Sequence, residues 1–535
     1  MKKIKTLITM GVALLILLFS CKRAQEGLRT NEIGDTYATV SLFFGAESFR
    51  AQEQDEEINS NSIGLWEGND AIKTVDVYLV GQEENTPVHS GQYQYKDFIV
   101  EVGDASKEAK LTPKKAIKTT AGIKTIYVLV NAPQRMREKL ALTDKIAFER
   151  AWQEAYVAHN AKISTSATGE EYAREAQAGI ASLATQDQQK DVIMMSNAEN
   201  SSITIQPNVS HDDAKNGVAN QVTVHVKRAA ARVIVTTEAE NFELRDGGVE
   251  LGTVCNITYA TAQGEKKLYI QQKREGQPTV IKTPAYGVTA ISIDDMDENY
   301  DYSDLYNKTR RATISSSTTA ITPGIIGKVS SPVFMLEANH KRNTQVGNAP
   351  SNYDGDFRIG NTPYVLVRAK FKPKQAVLAE NNDISELAQD GTFYIGTING
   401  RVYVKKEYVI NPSKGGIVGQ KHRTYKGGKV LYYAYINPDN IDRSKVLNAP
   451  IFRNNVYHIH ISGIKAIGYN WNPIFPEDPE TPNPKNPDPK PNDPNEDPEK
   501  PLEPNNPLPN QDTHMSVAIS ILKWNVHSYK IFLDL

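Results

Sequence analysis

Thr513–Leu535 reads T-H-M-S-V-A-I-S-I-L-K-W-N-V-H-S-Y-K-I-F-L-D-L, and an earlier stretch, Thr36–Phe44, reads T-Y-A-T-V-S-L-F-F. In the late stretch Met515, Val517, Ile519 and Ile521 alternate with His514, Ser516, Ala518 and Ser520. The register then changes at Leu522, so that Leu522, Trp524 and Val526 carry the apolar alternation onward. Period two marks an extended strand with one apolar face. When the two stretches are overlaid, Ala38, Val40, Leu42 and Phe44 coincide with Met515, Val517, Ile519 and Ile521. Two strands with one pattern can compete for one groove. Arg50, followed by Ala51, lies just past the early copy at the start of a polar, acidic run, and an arginine in an exposed loop is a candidate proteolysis site. The pair reads as a removable placeholder strand and its replacement, donated by another copy of the chain. The alternative is that the late stretch is the last strand of its own sandwich, returning on a long loop, and that the early stretch is merely a first strand.

At 535 residues the chain has room for two or three domains. Its formal net charge is −2 and it carries no basic stripe, which argues against a nucleic-acid partner. Cys21 and Cys255 are the only cysteines, so there is no internal disulfide framework. Met1–Cys21 reads as a targeting segment: Lys2, Lys3 and Lys5 precede an apolar run, Leu7–Phe19, that is too short for a comfortable membrane span. The run ends Leu18-Phe19-Ser20-Cys21, which resembles a bacterial lipobox in which Cys21 is lipidated and becomes the new N-terminus. Residues 22–50 then form a propeptide that carries the placeholder strand.

The body of the chain is predicted to be mainly β. Ile72–Val80 and Lys124–Ala132 are rich in β-branched and aromatic residues. Between Gln134 and Lys162 the period lengthens, and Leu140, Ile146, Phe148, Trp152 and Val157 predict one or two amphipathic helices. Gly169–Lys190, rich in alanine and glutamine, is expected to be helical, and Asp191–Ser196 returns to extended structure. Residues 51–218 thus read as an N-terminal β-sandwich domain with a helical excursion. Gln221–Thr237 contains two alternating pieces joined at Lys227-Arg228, where a bend or sheet crossing fits. Many further strands come after it, and residues 219–472 read as a second β-sandwich domain. Residues 473–512 hold half of the 28 prolines, a composition that favours an extended polyproline leash. At about 3.1 Å per residue it could reach on the order of 100 Å. Residues 513–535 are the donor strand at its end.

Enzymatic motifs are missing. The chain has no G-x-S-x-G, no H-E-x-x-H, no Walker loop and no dinucleotide glycine fingerprint. His458 and His460 share one strand face without an acidic or cysteine cluster beside them in sequence, so they read as structural and no metal site is assigned. Asp294, Asp295, Asp297, Glu298, Asp301 and Asp304 lack the glycine and spacing of a calcium loop. Cys255 reads as a buried structural cysteine.

Several of these pieces resemble, in order, the type V fimbrillins of Bacteroidales. They are the lipobox-like Cys21, Arg50-Ala51, Val224–Arg232 (V-H-V-K-R-A-A-A-R), Glu265–Gln272 (E-K-K-L-Y-I-Q-Q), Asn361–Val367 (N-T-P-Y-V-L-V), Arg453–Tyr457 and the terminal D-T-H-M-S-V. The resemblance implies two transthyretin-like β-sandwich domains and a non-enzymatic structural subunit of a cell-surface fimbrium, with no cofactor. It implies a precursor lipid-anchored at the outer membrane and cut by an arginine-specific protease between Arg50 and Ala51. The partners implied are other copies of the chain in a head-to-tail polymer, accessory tip and anchor subunits, and host or bacterial surface receptors. A tip or anchor role, or a monomeric surface-binding lipoprotein, is the competing expectation.

Overall fold

A computed structural model of the chain describes residues 35–44, 62–67, 71–102, 109–157, 181–184, 190–276, 279–288, 299–315, 333–342, 355–439, 447–475, 486–497, 502–508 and 515–525. The sites expected at Cys21, Arg50, Ala51 and Val526 lie outside the described residues. The fold is mainly β, in several sheets with few and short helices. Among the described residues no helix is long and apolar enough to cross a membrane.

Early in the chain stand β1 (Thr36–Phe44), β2 (Ser62–Glu67), β3 (Ala109–Pro113) and β4 (Ile117–Thr119). Midway, β5 (Gln221–Arg228) runs through Ala229 directly into β6 (Ala230–Thr237), and β7 (Asn455–Ile464) and β8 (Met515–Asn525) come late. A ten-stranded sheet has the order His89–Gln94, Thr74–Gly81, Gly122–Val130, Met195–Asn197, β5, β1, β3, Phe98–Val102, with Ser201–Ile205 added to Gly122–Val130 and β4 added to β1. A six-stranded sheet has the order β2, β8, β7, β6, Thr313–Ile314, with Val333–Leu336 on β6. The chain therefore changes sheets at Ala229, next to the Lys227-Arg228 junction that the sequence marks. β5 pairs within the first sheet, although its place in the sequence groups it with the second domain.

Strand alternation sorts side chains between clusters. In Thr74–Gly81, Val75, Val77 and Leu79 enter the cluster that also holds β1, while Tyr78 and Val80 face the helical excursion. That excursion is two short helices, Gln134–Lys139 and Lys145–Gln153, the second N-capped by Asp144, whose carboxylate accepts from the Ala147 N–H at 2.7 Å. Leu140, Phe148 and Trp152 are buried as their spacing predicts, whereas Ile146, on the outer face of the second helix, and Val157, beyond it in a short strand paired with Lys267–Tyr269, are exposed. The helix expected over Gly169–Lys190 is corrected at Ala181–Ala184, which is a strand paired antiparallel with Lys190–Ile193. Cross-strand pairing overrides alanine's helical preference there.

The six-stranded sheet packs against a four-stranded sheet of Phe242–Asp246, Val249–Ala262, Tyr364–Pro373 and Lys429–Tyr435. Val365, Val367, Phe371, Val430 and Tyr432 share the core between them with Val233, Val235, Ile459 and Ile461. The intervening residues Leu366, Leu431, Tyr433 and Tyr435 point away from that core into a second cluster. The covering of this cluster corrects the expected leash. Ile474, Phe475 and Leu508, from the proline-rich segment, belong to the same second cluster. Asp488, buried, accepts from Arg368 Nε at 2.8 Å and from Lys429 Nζ at 3.0 Å. Backbone bonds from Leu502 N–H to Pro473 O, Ile359 N–H to Asn506 O and Gly360 N–H to Pro504 O tie the segment down. Proline lowers the entropy lost on docking. A few well-placed apolar and acidic residues then suffice to turn the leash into a strap across the sheet.

Arg368 and Lys429 hold the Asp488 carboxyl below its ordinary range in spite of burial. With a depressed folded pKa, the contribution of Asp488 is present above the unfolded value near 3.9 and is lost as pH falls through the folded value. Asp488→Ala should cost about 3 kcal/mol or more, because it leaves Arg368 without its buried partner. Limited proteolysis at neutral pH should then cut within residues 473–512 faster than in the parent chain. The parent strap should become similarly susceptible only below the ordinary carboxylate range, checked with an acid-active protease.

Candidate functional site: the seat of the first strand

β1 occupies an interior position in the first sheet. It runs parallel to β5, with Thr39 opposite Gln221 and Phe43 opposite His225, and antiparallel to β3, with Leu42 opposite Leu111. Its leading end pairs with β4, Thr36 opposite Thr119. Both edges are therefore hydrogen-bonded, and both faces are covered. Ala38, Val40, Leu42 and Phe44 are each 2% exposed or less and join Leu111, Ile117 and Val224 in one core cluster. Val40, Leu42 and Phe44 alone contribute on the order of 5–9 kcal/mol through removal of apolar surface from water. The opposite face is also closed: Thr39 and Ser41 are fully buried, and the Ser41 hydroxyl lies 3.1 Å from that of Thr112. Only Tyr37 and Phe43 are half-buried, the first edge-on to His211 and the second tilted against His225.

Asn220 fixes the register. It has φ 52°, a left-handed conformation that asparagine tolerates better than most residues. From there its side chain donates to Tyr37 O at 2.9 Å and to Gln206 O at 3.0 Å, and its own carbonyl accepts from the Thr39 N–H at 2.9 Å. Thr36 completes the anchor, donating its hydroxyl to Gln206 O at 2.7 Å and accepting from the Val209 N–H at 3.1 Å.

The late strand lies elsewhere. β8 pairs antiparallel with β7, with Ile519 opposite Ile459 and Ile521 opposite Tyr457, across an irregularity between Ile461 and Gly463. On its other edge it pairs parallel with β2, with Trp66 opposite Trp524. Met515 is buried in the core between the two packed sheets, and Val517 packs against it. The placeholder and donor positions are thus not brought together within one chain, and β8 is held by its own sheet. The sequence reading places no strand between Thr36–Phe44 and Ile72–Val80, and so misses β2. The alternation of Ile63 and Leu65 was the available signal, shortened by Gly64 and by the acidic run before it.

His458 and His460 share the Thr236 hydroxyl, at 2.7 Å from Nε2 of the first and 2.8 Å from Nδ1 of the second. Burial lowers the pKa of both, that of His458 to about 4. Of the acidic run, 294–298 lie outside the described residues, while Asp304 is buried against Arg310. Cys255 is free and buried. One trio of metal-capable side chains does converge among the described residues, namely His422, Asp493 and Glu496. The wide separation of His422 from the other two in the chain hid it from any spacing motif.

Two curated relatives, each a minor fimbrium subunit Mfa1 of Porphyromonas gingivalis, are 32% identical to the chain over 546 residues, covering 99% of it and 99% of the relative. The chain belongs to the fimbrillin family. The model for major fimbrial subunit protein type IV, fimbrillin, C-terminal, matches residues 423–530 of this fimbrillin, a span that includes the strap and β8. Solved structures show a looser likeness. A candidate cell adhesion protein of Parabacteroides distasonis aligns with TM-score 0.41 at 11% identity, over 92% of this chain and 100% of that one. The C-terminally truncated tip fimbrial protein Mfa3 of P. gingivalis aligns with TM-score 0.27 at 10% identity, over 80% of this chain and 95% of that one. The fimbrillin is a structural, non-enzymatic fimbrial subunit and a component of the cell surface.

In the full chain, Leu42→Ala should lower stability by about 2–5 kcal/mol through the cavity it leaves. Ser41→Leu, at a position the period-two pattern alone would mark as permissive, should cost about 1–3 kcal/mol by overpacking. Urea denaturation read by tryptophan fluorescence checks both.

Proposed function

We propose that this fimbrillin is a shaft subunit that polymerises by strand exchange through the seat of β1. It is exported as a lipoprotein modified at Cys21 and cut after Arg50, so that β1 is released and a neighbour's C-terminal strand takes its place. Two transthyretin-like β-sandwich units carry the two ends of the exchange. The observation that carries this reading is the match between the seat and the C-terminal stretch on both faces. The seat buries apolar side chains at 38, 40, 42 and 44 and admits only small ones at 39 and 41. The late stretch offers Met515, Val517, Ile519 and Ile521 on one face and Ser516 and Ala518 on the other. Met515 is larger than Ala38, so its entry requires the seat to widen at its leading end.

Emptying the seat exposes an apolar trough with two unpaired backbone edges, which strand addition satisfies. Head-to-tail donation repeats without closing and so builds a filament. The contact between copies is then the polymer's own joint, and tip, anchor and surface-receptor contacts occur at its ends or along its flanks.

Protein sheared from the cell surface should begin at Ala51 when sequenced from its N-terminus. Arg50→Ala should hold the chain at the lipidated, monomeric stage. Deletion of 513–535 should give cleaved chain that fails to form filaments in negative-stain microscopy. Filaments from that deletion would refute the donor assignment, and an acylated Cys21 start on polymeric material would refute removal of β1.

A further inference from the structure

The strap does more than cover the sheet. At residues 495–497 it lies along the strand His422–Tyr425: the His422 N–H donates to Asn495 O at 3.3 Å and its carbonyl accepts from the Asp497 N–H at 3.0 Å. This pairing brings Glu496 and Asp493 onto the His422 side chain. One ring nitrogen of His422, one carboxylate oxygen of Asp493 and one of Glu496 all lie within 4.8 Å of one another. His422 is only 4% exposed, and its buried Nε2 has no hydrogen-bond partner. A buried polar atom left in that state is uncommon in a folded protein and asks for an explanation.

The carboxylates are already oriented. Glu496 accepts through Oε1 from the Thr424 N–H at 2.7 Å and from Asn470 Nδ2 at 3.0 Å. Asp493 accepts from the Asn495 N–H at 2.9 Å through Oδ1 and from Lys406 Nζ at 2.7 Å through Oδ2. Such outer bonds fix the direction of metal ligands. The neutral imidazole, with Nε2 free to donate its lone pair, is the form that binds metal.

We propose that His422, Asp493 and Glu496 form a divalent-metal site that clasps the proline-rich strap to the body of the protein. One imidazole and two carboxylates suit a zinc-type transition ion better than calcium or magnesium, which take oxygen ligands. Ligand atoms around a tetrahedral zinc ion stand about 3.4 Å apart, so binding draws the trio inward by at most about 1.4 Å. Lys406 is the built-in competitor. Its side chain is 44% exposed, and it swings into solvent when the ion takes its place on Asp493. The site does not depend on strand donation, since both of its halves lie in one chain.

The test uses the purified full chain, freed of metal with a chelator and titrated calorimetrically with zinc chloride alone, with manganese and calcium chlorides in parallel. The expected result is one zinc per chain, weakened at least tenfold in His422→Gln and tightened several-fold in Lys406→Gln. Zinc should also slow proteolysis within 473–512 in the parent chain and not in His422→Gln. Circular dichroism of the metal-free variants checks that each retains the fold. If zinc binds equally well to parent and His422→Gln, or if Lys406→Gln binds no more tightly than the parent, the ion sits on surface histidines and the proposal fails. Absence of zinc binding to a parent chain that is folded overturns it as well.

Discussion

A strand hydrogen-bonded along both edges cannot be removed without orphaning two rows of backbone groups. That constraint governs the first sheet. β1 fills a gap that β5 on one side, and β3 and β4 on the other, would otherwise leave open, and its apolar side chains complete a core drawn from most of the sheet. Water can satisfy the exposed N–H and C=O groups, but the apolar trough cannot be satisfied that way. Whatever occupies the position must supply both the backbone edges and the side-chain pattern. The seat is therefore selective for sequence.

The second half of the molecule answers a different problem. Tyr364–Pro373 and Lys429–Tyr435 bury both faces, which in an antiparallel sheet requires a covering layer. Part of that covering, beside Tyr300, Tyr302, Leu305 and Phe357, is the least core-like segment of the chain. Its prolines limit the conformations lost on docking, and its scattered anchors (Ile474, Phe475, Asp488, Leu508) supply the attraction. The start of β8 is thereby placed close to the body. Residues 509–514 alone separate the last described anchor of the strap from the strand.

Much of this was legible in the sequence where a period persists over many residues. The alternation in Thr36–Phe44 and Met515–Ile521, the bend near Lys227-Arg228 and the helices near Phe148 and Trp152 are all strong local patterns, and the structure keeps them. The apolar face of β1 was readable; the burial of Thr39 and Ser41 was not, because sequence cannot say whether a polar face meets water or a neighbour. The strap was misread for a similar reason: average composition hides a handful of anchors whose partners, Arg368 and Lys429, stand far away in the chain. Ala181–Ala184 shows the converse error, since alanine content proposes a helix and pairing with Lys190–Ile193 decides for strand. His422, Asp493 and Glu496 were invisible because only the docked strap brings them together.

The direct passage of β5 through Ala229 into β6 has a mechanical meaning. β5 flanks the seat, and β6 flanks β7, from which the chain runs on through the strap to the C-terminal strand, so the β5–β6 thread ties together the two ends at which a subunit would be gripped. Tension along a fibre would run down this thread and load the strand contacts lengthwise. Their hydrogen bonds then share the force in shear and do not open one after another like a zipper. The buried Arg453, held by Glu337 and by the carbonyls of Tyr269 and Ile270, and Arg228, bonded to Asn454, reinforce the crossing point. In such a filament the weak link under load would be the exchanged strand's grip on its seat, and the tensile strength of the fibre would be set by the nine residues that fill it.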